Sequence, residues 1–247
     1  MLLADDVAIV TGAAQGIGRA IASALSSEGA LVCACDLRFV LVEEVVAELK
    51  PANPGHFAYE VDMSSAAQVR SLVDAVVARY GHIDILVNNA GIIIRNALCD
   101  ISAEEWDRVF AVNLKGPFLL AQAVGRHMVS RGIAGRIVNI ASTSAQYGQA
   151  NKATYATSKA ALVHFTRCAA VELAPYGIRV NAICPGPTLT AQIADRISEE
   201  YLRGKGMLLS GVGMPEDVAR AVLFLVSDGA RRATGAQLNI DSGQQLY

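Results

Sequence analysis

Short apolar runs alternate with longer amphipathic stretches along the whole chain, and this alternation restricts its fold more than any other feature. Runs such as Val7–Val10 and Leu31–Cys35 hold no charged residue, which is typical of strands buried on both faces of a parallel sheet. Stretches such as Ala66–Tyr80 repeat apolar residues at helical spacing instead. We therefore predict an α/β fold in a single domain over residues 1–247, with one parallel sheet and helices on both faces.

The pattern predicts where the strands and helices lie. The predicted strands are Val7–Val10, Leu31–Cys35, His56–Val61, Ile83–Val87, Arg136–Ile140, Arg179–Ile183 and Gln237–Ile240. The predicted helices run from Gly18 to Glu28 and over Phe39–Leu49, Ala66–Tyr80, Ala103–Arg131, Thr154–Ala174 and Pro215–Ser227. Because Pro117 lies inside the longest of these helices, we expect a bend near Asn113 that frees a backbone carbonyl there.

Composition excludes several classes of function. The 247 residues are 53% hydrophobic and 18% charged, which indicates a well-filled core rather than disorder. The net charge of −2 and the lack of a basic run give nucleic-acid binding no electrostatic support. No apolar run reaches the roughly 18 to 20 residues that span a membrane. The N-terminal MLLADD is too short and too acidic for a signal peptide.

The cysteines and histidines indicate neither a disulfide framework nor a metal site. The chain has five cysteines, an odd number, and Cys33 and Cys35 share one face of a predicted strand. Core packing is favoured over metal binding for that pair. The four histidines do not cluster at ligand spacing. A reduced, cytoplasmic location fits this cysteine usage best.

A glycine-rich turn joins the first strand to the first helix. Gly12, Gly16 and Gly18 stand in a G-x-x-x-G-x-G pattern directly after Val7–Val10. Glycines let the backbone approach a pyrophosphate, and the helix N-terminus directs N–H groups and the positive end of its dipole at the anion. The spacing differs from the common G-x-G-x-x-G fingerprint, and a tight turn without a ligand is the alternative.

Asp36 ends the second strand, about 20 positions after the glycine turn. A carboxylate there suits hydrogen bonds to the adenosine ribose hydroxyls of NAD, whereas it would repel the extra phosphate of NADP. The alternative role is a helix N-cap, which Asp also favours. Arg38 could pair with a phosphate but would not cancel Asp36 alone. We therefore predict NAD as the cofactor.

Ser142, Tyr155 and Lys159 are the candidate catalytic residues. Tyr155 and Lys159 lie four residues apart at the start of a predicted helix, so their side chains share one face. A nearby cation favours the phenolate, so Lys159 would lower the pKa of Tyr155 from its usual value of about 10. Ser142 follows the fifth strand and would hold and polarise a substrate oxygen. Taken alone, a Ser/Ala-rich helix start with a solvated lysine explains the same residues.

Together these motifs resemble the short-chain dehydrogenase/reductase family from Val7 to Gly243. The matching segments are Thr11-Gly12-x-x-x-Gly16-Ile17-Gly18, Asp62, Asn88-Asn89-Ala90-Gly91, Asn113, Ser142, Tyr155-x-x-x-Lys159, Asn181 and Pro185-Gly186-x-x-x-Thr190. The resemblance implies a Rossmann-type, doubly wound domain with a seven-stranded sheet and a nicotinamide cofactor. Asp241-Ser242-Gly243 departs from the Asp-Gly-Gly of many members, which touches the C-terminal turn and not the chemistry.

The resemblance also implies roles for the matching residues. Tyr155 would exchange a proton with the substrate oxygen, Lys159 would hold the nicotinamide ribose, and Asn113 would support a water leading to Lys159. Asp62 would meet the adenine, and Thr188–Thr190 the carboxamide. The residues expected to bind the cofactor are Gly12, Gln15, Gly16, Ile17, Gly18, Asp36, Asp62, Met63, Asn89, Ala90, Gly91, Tyr155, Lys159, Pro185, Gly186, Thr188 and Thr190.

The expected function is NAD-dependent interconversion of a secondary alcohol and its ketone. The stretches Asn89–Asn96 and Cys184–Thr190 are similar to members acting on small alcohols, polyols and sugar acids. A 3-oxoacyl thioester reductase is the alternative within the family, but such members usually use NADPH and basic docking surfaces, which Asp36 and the acidic balance disfavour. A non-catalytic NAD-binding sensor or scaffold is the alternative from another class, and it would not need the intact catalytic residues.

Two further expectations concern the substrate pocket and the assembly. The pocket is expected from Ile92–Asn96, Ala145–Tyr147 and the glycine-rich stretch Thr190–Gly213, which we predict to be a lid, with a short core helix as the alternative. The helices Ala103–Arg131 and Thr154–Ala174 carry more apolar residues than one sheet contact needs, and the resemblance implies that they pair across a two-fold axis. With the C-terminal strand and tail as a second contact, the expected assembly is a homotetramer.

Overall fold

Seven parallel strands form one sheet in the computed structural model, which describes residues 1–51, 53–190, 200, 203 and 206–246. The strands are β1 (Val7–Thr11), β2 (Leu31–Asp36), β3 (Phe57–Glu60), β4 (Ile85–Asn88), β5 (Arg136–Ile140), β6 (Arg179–Pro185) and β7 (Gln237–Ile240). Their order, β3-β2-β1-β4-β5-β6-β7, reverses between β1 and β4, where sheets of this kind form a ligand crevice. The predicted fold class is confirmed.

Helices cover both faces of the sheet. They are α1 (Gly16–Ser27), α2 (Phe39–Leu49), α3 (Ala66–Tyr80), α4 (Ala103–Phe110), α5 (Gly116–Arg131), α6 (Ala153–Leu173) and α7 (Pro215–Val226). One core lies between the sheet and α1, α2 and α7, and the other between the sheet and α3, α5 and α6. Along β1, Ala8 and Val10 enter the first core while Val7 and Ile9 enter the second. Burial on both faces explains why β1 is apolar at successive positions.

Most predicted boundaries agree to within one or two residues, which is the usual uncertainty of element ends. β4 begins at Ile85, and β6 continues to Pro185. His56 was expected to open β3, but the strand begins one residue later, at Phe57. The buried ring of His56 is hydrogen-bonded to β2 and α1 instead. Its Nδ1 accepts the N–H of Val32 (3.0 Å), its Nε2 pairs with the Ser26 hydroxyl (2.9 Å), and burial lowers its pKa.

The helical run predicted over Ala103–Arg131 has the predicted ends and is disturbed around Asn113, but it is not one α-helix. α4 ends at Phe110, and a π-helical segment, Ala111–Lys115, joins it to α5. Pro117 lies in the first turn of α5, where a missing N–H costs least, so the backbone adjusts in the preceding turn rather than by a kink at the proline. Asn113 lies in the middle of this π-helical segment, and such segments occur often at functional sites.

Buried amides connect the sheet to α6. Asn88 and Asn139 are register partners on β4 and β5, and Nδ2 of Asn88 donates to Oδ1 of Asn139 (2.9 Å). Nδ2 of Asn139 in turn donates to the Thr166 hydroxyl on α6 (2.9 Å). All three side chains are buried, so their partners must come from the protein. These bonds fix the position of α6 against the sheet.

The cysteines pack as expected. All five are free, and Cys33 and Cys35 are fully buried in the core shared with α3 and α5.

Within the described residues, no group of His, Cys, Asp or Glu is arranged to hold a metal ion. In that same part of the chain, no helix has the length and apolar character that a bilayer crossing requires.

The predicted lid at Thr190–Gly213 falls largely on residues outside those described. Near its end, Met207 is buried, whereas Leu208 and Leu209 are exposed. The backbone N–H groups of Leu208 and Leu209 both donate to the carbonyl oxygen of Ser242 (2.9 and 3.1 Å). This end of the segment is therefore fastened to the turn after β7, and the lid itself stays a prediction.

Candidate active site

A cleft of about 800 Å³ opens at the carboxyl ends of the strands. The predicted site residues that line it are Gly12, Gln15, Gly16, Ile17, Gly18, Asp36, Asp62, Met63, Asn89, Ala90, Gly91, Ser142, Tyr155, Lys159, Pro185, Gly186, Thr188 and Thr190. Among the predicted site residues, Asn113 alone does not line the cleft, and it is fully buried behind it. The structure thus gathers into one cleft motifs that are spread over most of the sequence.

The glycine turn is packed too tightly for side chains. A Cβ on Gly12 would lie 2.8 Å from the Cα of Ala90, and one on Gly18 would collide with the carbonyl oxygen of Gly12. Asn89 closes the turn from β4, because its Nδ2 donates to the carbonyls of Thr11 (2.9 Å) and Gly12 (3.1 Å). The first turn of α1 carries no acidic residue. A close backbone approach and an unneutralised helix N-terminus fit the pyrophosphate of a dinucleotide.

Asp36 lies at the carboxyl end of β2 and forms an ion pair with Arg38. Its Oδ1 accepts the backbone N–H of Arg38 (3.0 Å) and the Nε of the same residue (3.2 Å), while its Oδ2 accepts the N–H of Ala14 (3.3 Å). Arg38 also donates to Oε1 of Gln15 (2.9 Å). Arg38, not Asp36, is the N-cap residue of α2, so the N-cap alternative for Asp36 is wrong.

Asp62 and Thr188 lie at the rim of the same cleft. Oδ1 of Asp62 accepts the backbone N–H (2.8 Å) and the hydroxyl (2.7 Å) of Ser64, so a local turn orients this carboxylate. The Thr188 hydroxyl donates to the carbonyl of Gly186 (3.1 Å). Both side chains are thus held by short-range contacts while they face the cleft.

Ser142, Tyr155 and Lys159 meet at the cleft from β5 and α6. Lys159 is buried, its Nζ donates to the carbonyl of Ile140 (2.8 Å), and it lies 5.9 Å from the centre of the Tyr155 ring. The Ser142 hydroxyl accepts the N–H of Ser144 (3.1 Å). An alcohol, a phenol and an ammonium group therefore share one buried corner, which is the arrangement that proton transfer to a bound oxygen requires.

Burial controls the acidity of the two titratable groups. It raises the pKa of Tyr155, and the Ser142 hydroxyl and the charge of Arg95 oppose that rise. Burial also lowers the pKa of Lys159 to about 8. The expectation that Lys159 would bring the pKa of Tyr155 below its usual value is therefore wrong in this structure. Desolvation of the phenol outweighs the opposing charges, and Arg95 is the cation that acts on it.

Asn113 works as a cross-link behind the catalytic residues. Its Oδ1 accepts the N–H of Ile92 (2.8 Å), and its Nδ2 donates to the carbonyl of Ile92 (2.9 Å) and to the Ser158 hydroxyl (3.1 Å). Ser158 donates to the carbonyl of Tyr155 (2.7 Å). Because these bonds occupy the amide, the predicted water toward Lys159 would have to bind the backbone of Asn113.

Several other polar residues line the cleft that the sequence did not identify. Those with long side chains are Arg108, Gln149, Lys152 and Gln244, and Ser64, Thr143 and Ser144 line it as well. Gln149 and Lys152 lie between Ser142 and Tyr155 in the sequence, so the spacing of the catalytic residues was an available signal for them. Arg108 comes from α4 and Gln244 from the turn after β7, and no local pattern connects either to the site.

Comparisons with known proteins agree with this geometry. A family model described as "Enoyl-(Acyl carrier protein) reductase" matches residues 12–245. The NAD-dependent glycerol dehydrogenase of Listeria innocua serovar 6a is 40% identical over 249 residues, covering 99% of this chain and 95% of its own length. The (3R)-3-hydroxyacyl-CoA dehydrogenase of Canis lupus familiaris is 39% identical over 251 residues, covering 98% of this chain and 96% of its own.

A further relative and a solved structure extend the comparison. The D-threitol dehydrogenase of Mycolicibacterium smegmatis is 39% identical over 244 residues, covering 97% of this chain and 93% of its own. The crystal structure of a short-chain type dehydrogenase/reductase from Mycobacterium marinum matches with a TM-score of 0.92 at 35% identity, covering 99% of this chain and 97% of that one. The likeness therefore extends over nearly the whole chain.

Proposed function

Since this chain belongs to the short-chain dehydrogenase/reductase family of oxidoreductases, we propose that it interconverts a secondary alcohol and its ketone with NAD as the cofactor. The observation that carries the proposal is the meeting of Ser142, Tyr155 and Lys159 in a cleft whose other end holds the glycine turn and Asp36. Asp36 supports NAD over NADP, as does the name of the glycerol dehydrogenase relative.

The residues of the cleft suit the parts of a dinucleotide. The glycine turn would hold the pyrophosphate, Asp36 the adenosine ribose and Lys159 the nicotinamide ribose. Thr188 and Thr190 would hold the carboxamide. When bound, the nicotinamide supplies or accepts the hydride.

The proton is moved by the chain's own residues. Ser142 holds the substrate oxygen, and the Tyr155 hydroxyl gives a proton to it during ketone reduction. Because burial raises its pKa, Tyr155 is protonated at neutral pH and ready to act as this donor. Alcohol oxidation needs the phenolate, which the Ser142 hydroxyl and the charge of Arg95 favour, so the oxidation rate should rise with pH. Lys159, with a pKa of about 8, is mostly protonated at pH 7.

The relatives give two substrate classes to choose between. Glycerol and threitol dehydrogenases support a small alcohol, polyol or sugar-type substrate. The hydroxyacyl-CoA dehydrogenase relatives and the description of the family model support a 3-oxoacyl thioester. We favour the first class because Asp36 disfavours NADPH, which the thioester reductases of this family usually use.

A substrate screen tests the proposed function. The purified protein is assayed with NAD⁺, NADH, NADP⁺ and NADPH against polyols, hydroxy acids, simple ketones and 3-hydroxybutyryl-CoA. The expected result is turnover of at least one small secondary alcohol with NAD⁺, at a higher kcat/KM than for the CoA thioester. A protein that binds NAD but turns over none of these compounds would instead be a sensor or scaffold.

The apolar surfaces of α5 and α6 support a homotetramer. Phe118 on α5 contacts Phe165 on α6 edge to face, with ring centres 5.9 Å apart, yet Phe118 stays 39% exposed. Val171 on α6 is 76% exposed. Pairing of these helices across a two-fold axis would cover this surface and form a dimer, and the C-terminal strand and tail would supply the second contact that completes the tetramer. Light scattering should give about four times the chain mass of 26.0 kDa, and a mass of one chain would rule this assembly out.

A further inference from the structure

The two ends of the cleft differ in charge, because the adenosine end holds two carboxylates and one arginine, Arg38, which is paired with Asp36. The carboxylates among its described lining residues are Asp36 and Asp62, and both belong to the end proposed to hold adenosine. The lining also includes Arg95, Arg108 and Lys152, which we call the cationic rim. A cleft that needed only to bind a nicotinamide and a neutral alcohol would have no use for three cations.

Hydrogen bonds place Lys152 beside the catalytic serine. Ser144 donates its backbone N–H to the Ser142 hydroxyl (3.1 Å) and its own hydroxyl to Oε1 of Gln149 (3.0 Å). The Nζ of Lys152 donates to the same Oε1 atom (2.6 Å). Gln149 is itself held by the Tyr147 hydroxyl, which accepts its Nε2 (3.0 Å). The ammonium group is thus positioned by a chain of contacts that begins at Ser142.

Arg95 lies in a loop that is anchored on both sides. Before it, the backbone of Ile92 is held by both atoms of the Asn113 amide (2.8 and 2.9 Å). After it, Nδ2 of Asn96 donates to both carboxylate oxygens of Glu105 on α4 (2.9 and 2.8 Å). Arg95 lines the same cleft as Tyr155 and Lys152, and its charge acts on both.

No carboxylate neutralises the cationic rim within the described residues. Glu105 lies one turn before Arg108 on α4, but it accepts from Asn96 and from the N–H of Ser102, where it completes a capping box. The ion pairs of the described chain involve other residues. Partial burial lowers the pKa of Lys152, and repulsion from Arg95 adds to this effect.

We propose that Arg95, Arg108 and Lys152 bind an anionic group of the substrate, a carboxylate or a phosphate, that lies close to the reacting carbon. This inference rests on the proposed function, because it assumes that Ser142 and Tyr155 hold the reacting oxygen. An arginine can bind such a group through two parallel hydrogen bonds, and a lysine adds a point charge. The substrate class is then a hydroxy acid, an oxo acid or a phosphorylated polyol. A neutral polyol or an acyl thioester would leave the rim unpaired beside the reacting carbon.

Matched substrates test this assignment. The kcat/KM with NAD⁺ is measured for both enantiomers of 3-hydroxybutyrate against 1,3-butanediol, and for gluconate and sorbitol 6-phosphate against sorbitol. We expect the anionic member of at least one set to exceed its neutral partner by about tenfold or more. Preference for carboxylate or for phosphate identifies the anion, and either preference supports the rim.

Variants locate the effect. Arg95→Gln and Lys152→Gln should each lower the ratio of anionic to neutral kcat/KM by about 10- to 100-fold, and Arg95→Lys should restore part of it. The matched control is Arg231→Gln, which removes an exposed arginine that precedes β7 and does not line the cleft. This control should leave the ratio unchanged. An equal fall in the control would show a general effect of net charge and overturn the assignment.

A binding measurement separates this inference from the proposed function. The Tyr155→Phe variant and a double variant that also carries Arg95→Gln, both saturated with NAD⁺, are titrated with the same compounds by calorimetry. Tighter binding of the anionic members that the second change abolishes supports the rim even if no alcohol is turned over. Equal binding of anionic and neutral members, or binding of neither, overturns it. Equal turnover of both by the wild type also overturns it while leaving the proposed function intact.

Discussion

The end of the cleft formed by the glycine turn and Asp36 differs in construction from the end formed by Ser142, Tyr155 and Lys152. The first is built mainly from backbone, in the turn between β1 and α1 that packs against Asn89 and Ala90, and it leaves no room for a Cβ on Gly12 or Gly18. The second is lined by side chains from the loop after β4, α4, the β5–α6 connection and α6, and hydrogen bonds within the β5–α6 connection link Ser142 to Lys152. The first end can therefore recognise one fixed ligand shape, whereas single substitutions can change the chemistry of the second end.

The largest effect is expected at Tyr155, where the two ends meet. Tyr155→Phe removes the phenolic oxygen and leaves the ring, so the kcat should fall by about 10² to 10⁴-fold while the fold and the Kd for NAD are kept. Steady-state kinetics and a fluorescence titration with NADH measure the two quantities. Tyr147→Phe, which changes a phenol on the same cleft, is the control and should cost far less. A Tyr155→Phe variant within tenfold of the wild type would exclude this residue as the proton donor.

Crowding the glycine turn should damage the backbone-built end alone. Gly18→Ala places a methyl group against the carbonyl of Gly12, so the turn would shift to relieve the clash. If NAD needs the original shape, restoring it would cost about 3 kcal/mol and raise the Kd for NAD about 150-fold. Gly125→Ala in α5 is the matched control, because its added Cβ meets the Leu173 methyl groups at an ordinary 3.6 Å. Calorimetry with NAD on both variants checks this. Unchanged NAD affinity in Gly18→Ala would show that the turn does not hold the cofactor.

Cofactor choice tests the role of Asp36 at the backbone-built end. The wild type should favour NAD over NADP by about 1 to 3 kcal/mol, or about 5- to 150-fold in kcat/KM, because Asp36 would face the extra phosphate. Asp36→Ala should remove most of that preference, since it also releases Arg38 from its ion pair. Glu60→Ala removes the neighbouring carboxylate on β3 and should leave the preference unchanged. If the wild type used NADP as well as NAD or better, Arg38 rather than Asp36 would determine the choice of cofactor.

The smallest expected effect is on stability at Lys159. Its pKa in the folded state is about 8, below the ordinary 10.5. Below pH 8 the buried ammonium group is charged, and the whole cost of burying that charge then lowers the stability of the fold. Between pH 8 and 10.5 the unfolded chain binds more protons, and the stability of the wild type should rise with pH. Lys159→Met removes this cost but leaves the carbonyl of Ile140 without its donor.

The net gain for Lys159→Met without cofactor should be about 1 to 2 kcal/mol at pH 7, with a Tm a few degrees higher, and it should shrink above pH 8. Thermal unfolding of both proteins from pH 7 to 10 measures it, with activity lost in the variant. A Lys159→Met protein less stable than the wild type at every pH would mean that the ammonium group stabilises the fold instead.

The same difference between the two ends explains what the sequence could predict. The glycine turn and Asp36 follow from a rule about strand ends, and Tyr155 with Lys159 follows from helical spacing, so these required no tertiary information. Arg108 has ordinary local surroundings, and only the packing of α4 beside α6 brings it to the cleft. Its place there could not be predicted because it depends on contacts between distant segments.

Asn113 and Tyr155 also show which features of the site cannot be predicted from the sequence. Its position in a disturbed helix was foreseen from Pro117, but the π-helical form was not, because the choice between a kink and a widened turn depends on neighbouring packing. The partner of its amide, Ile92, lies 21 residues away. The acidity of Tyr155 was misjudged for a related reason: charge can be read from a sequence, whereas the burial that outweighs it cannot.

The buried pair Asn88 and Asn139 has a consequence for how the chain reaches this structure. β4 and β5 must find each other across 51 residues, and parallel pairings over such distances form slowly. A slip of one residue would turn every side chain of the slipped strand to the other face and separate the two amides inside an apolar core. Each amide left without a partner costs about 1 to 3 kcal/mol. The pair therefore favours the native register, since a misaligned sheet would lose both this contact and the contact of Asn139 with Thr166 on α6.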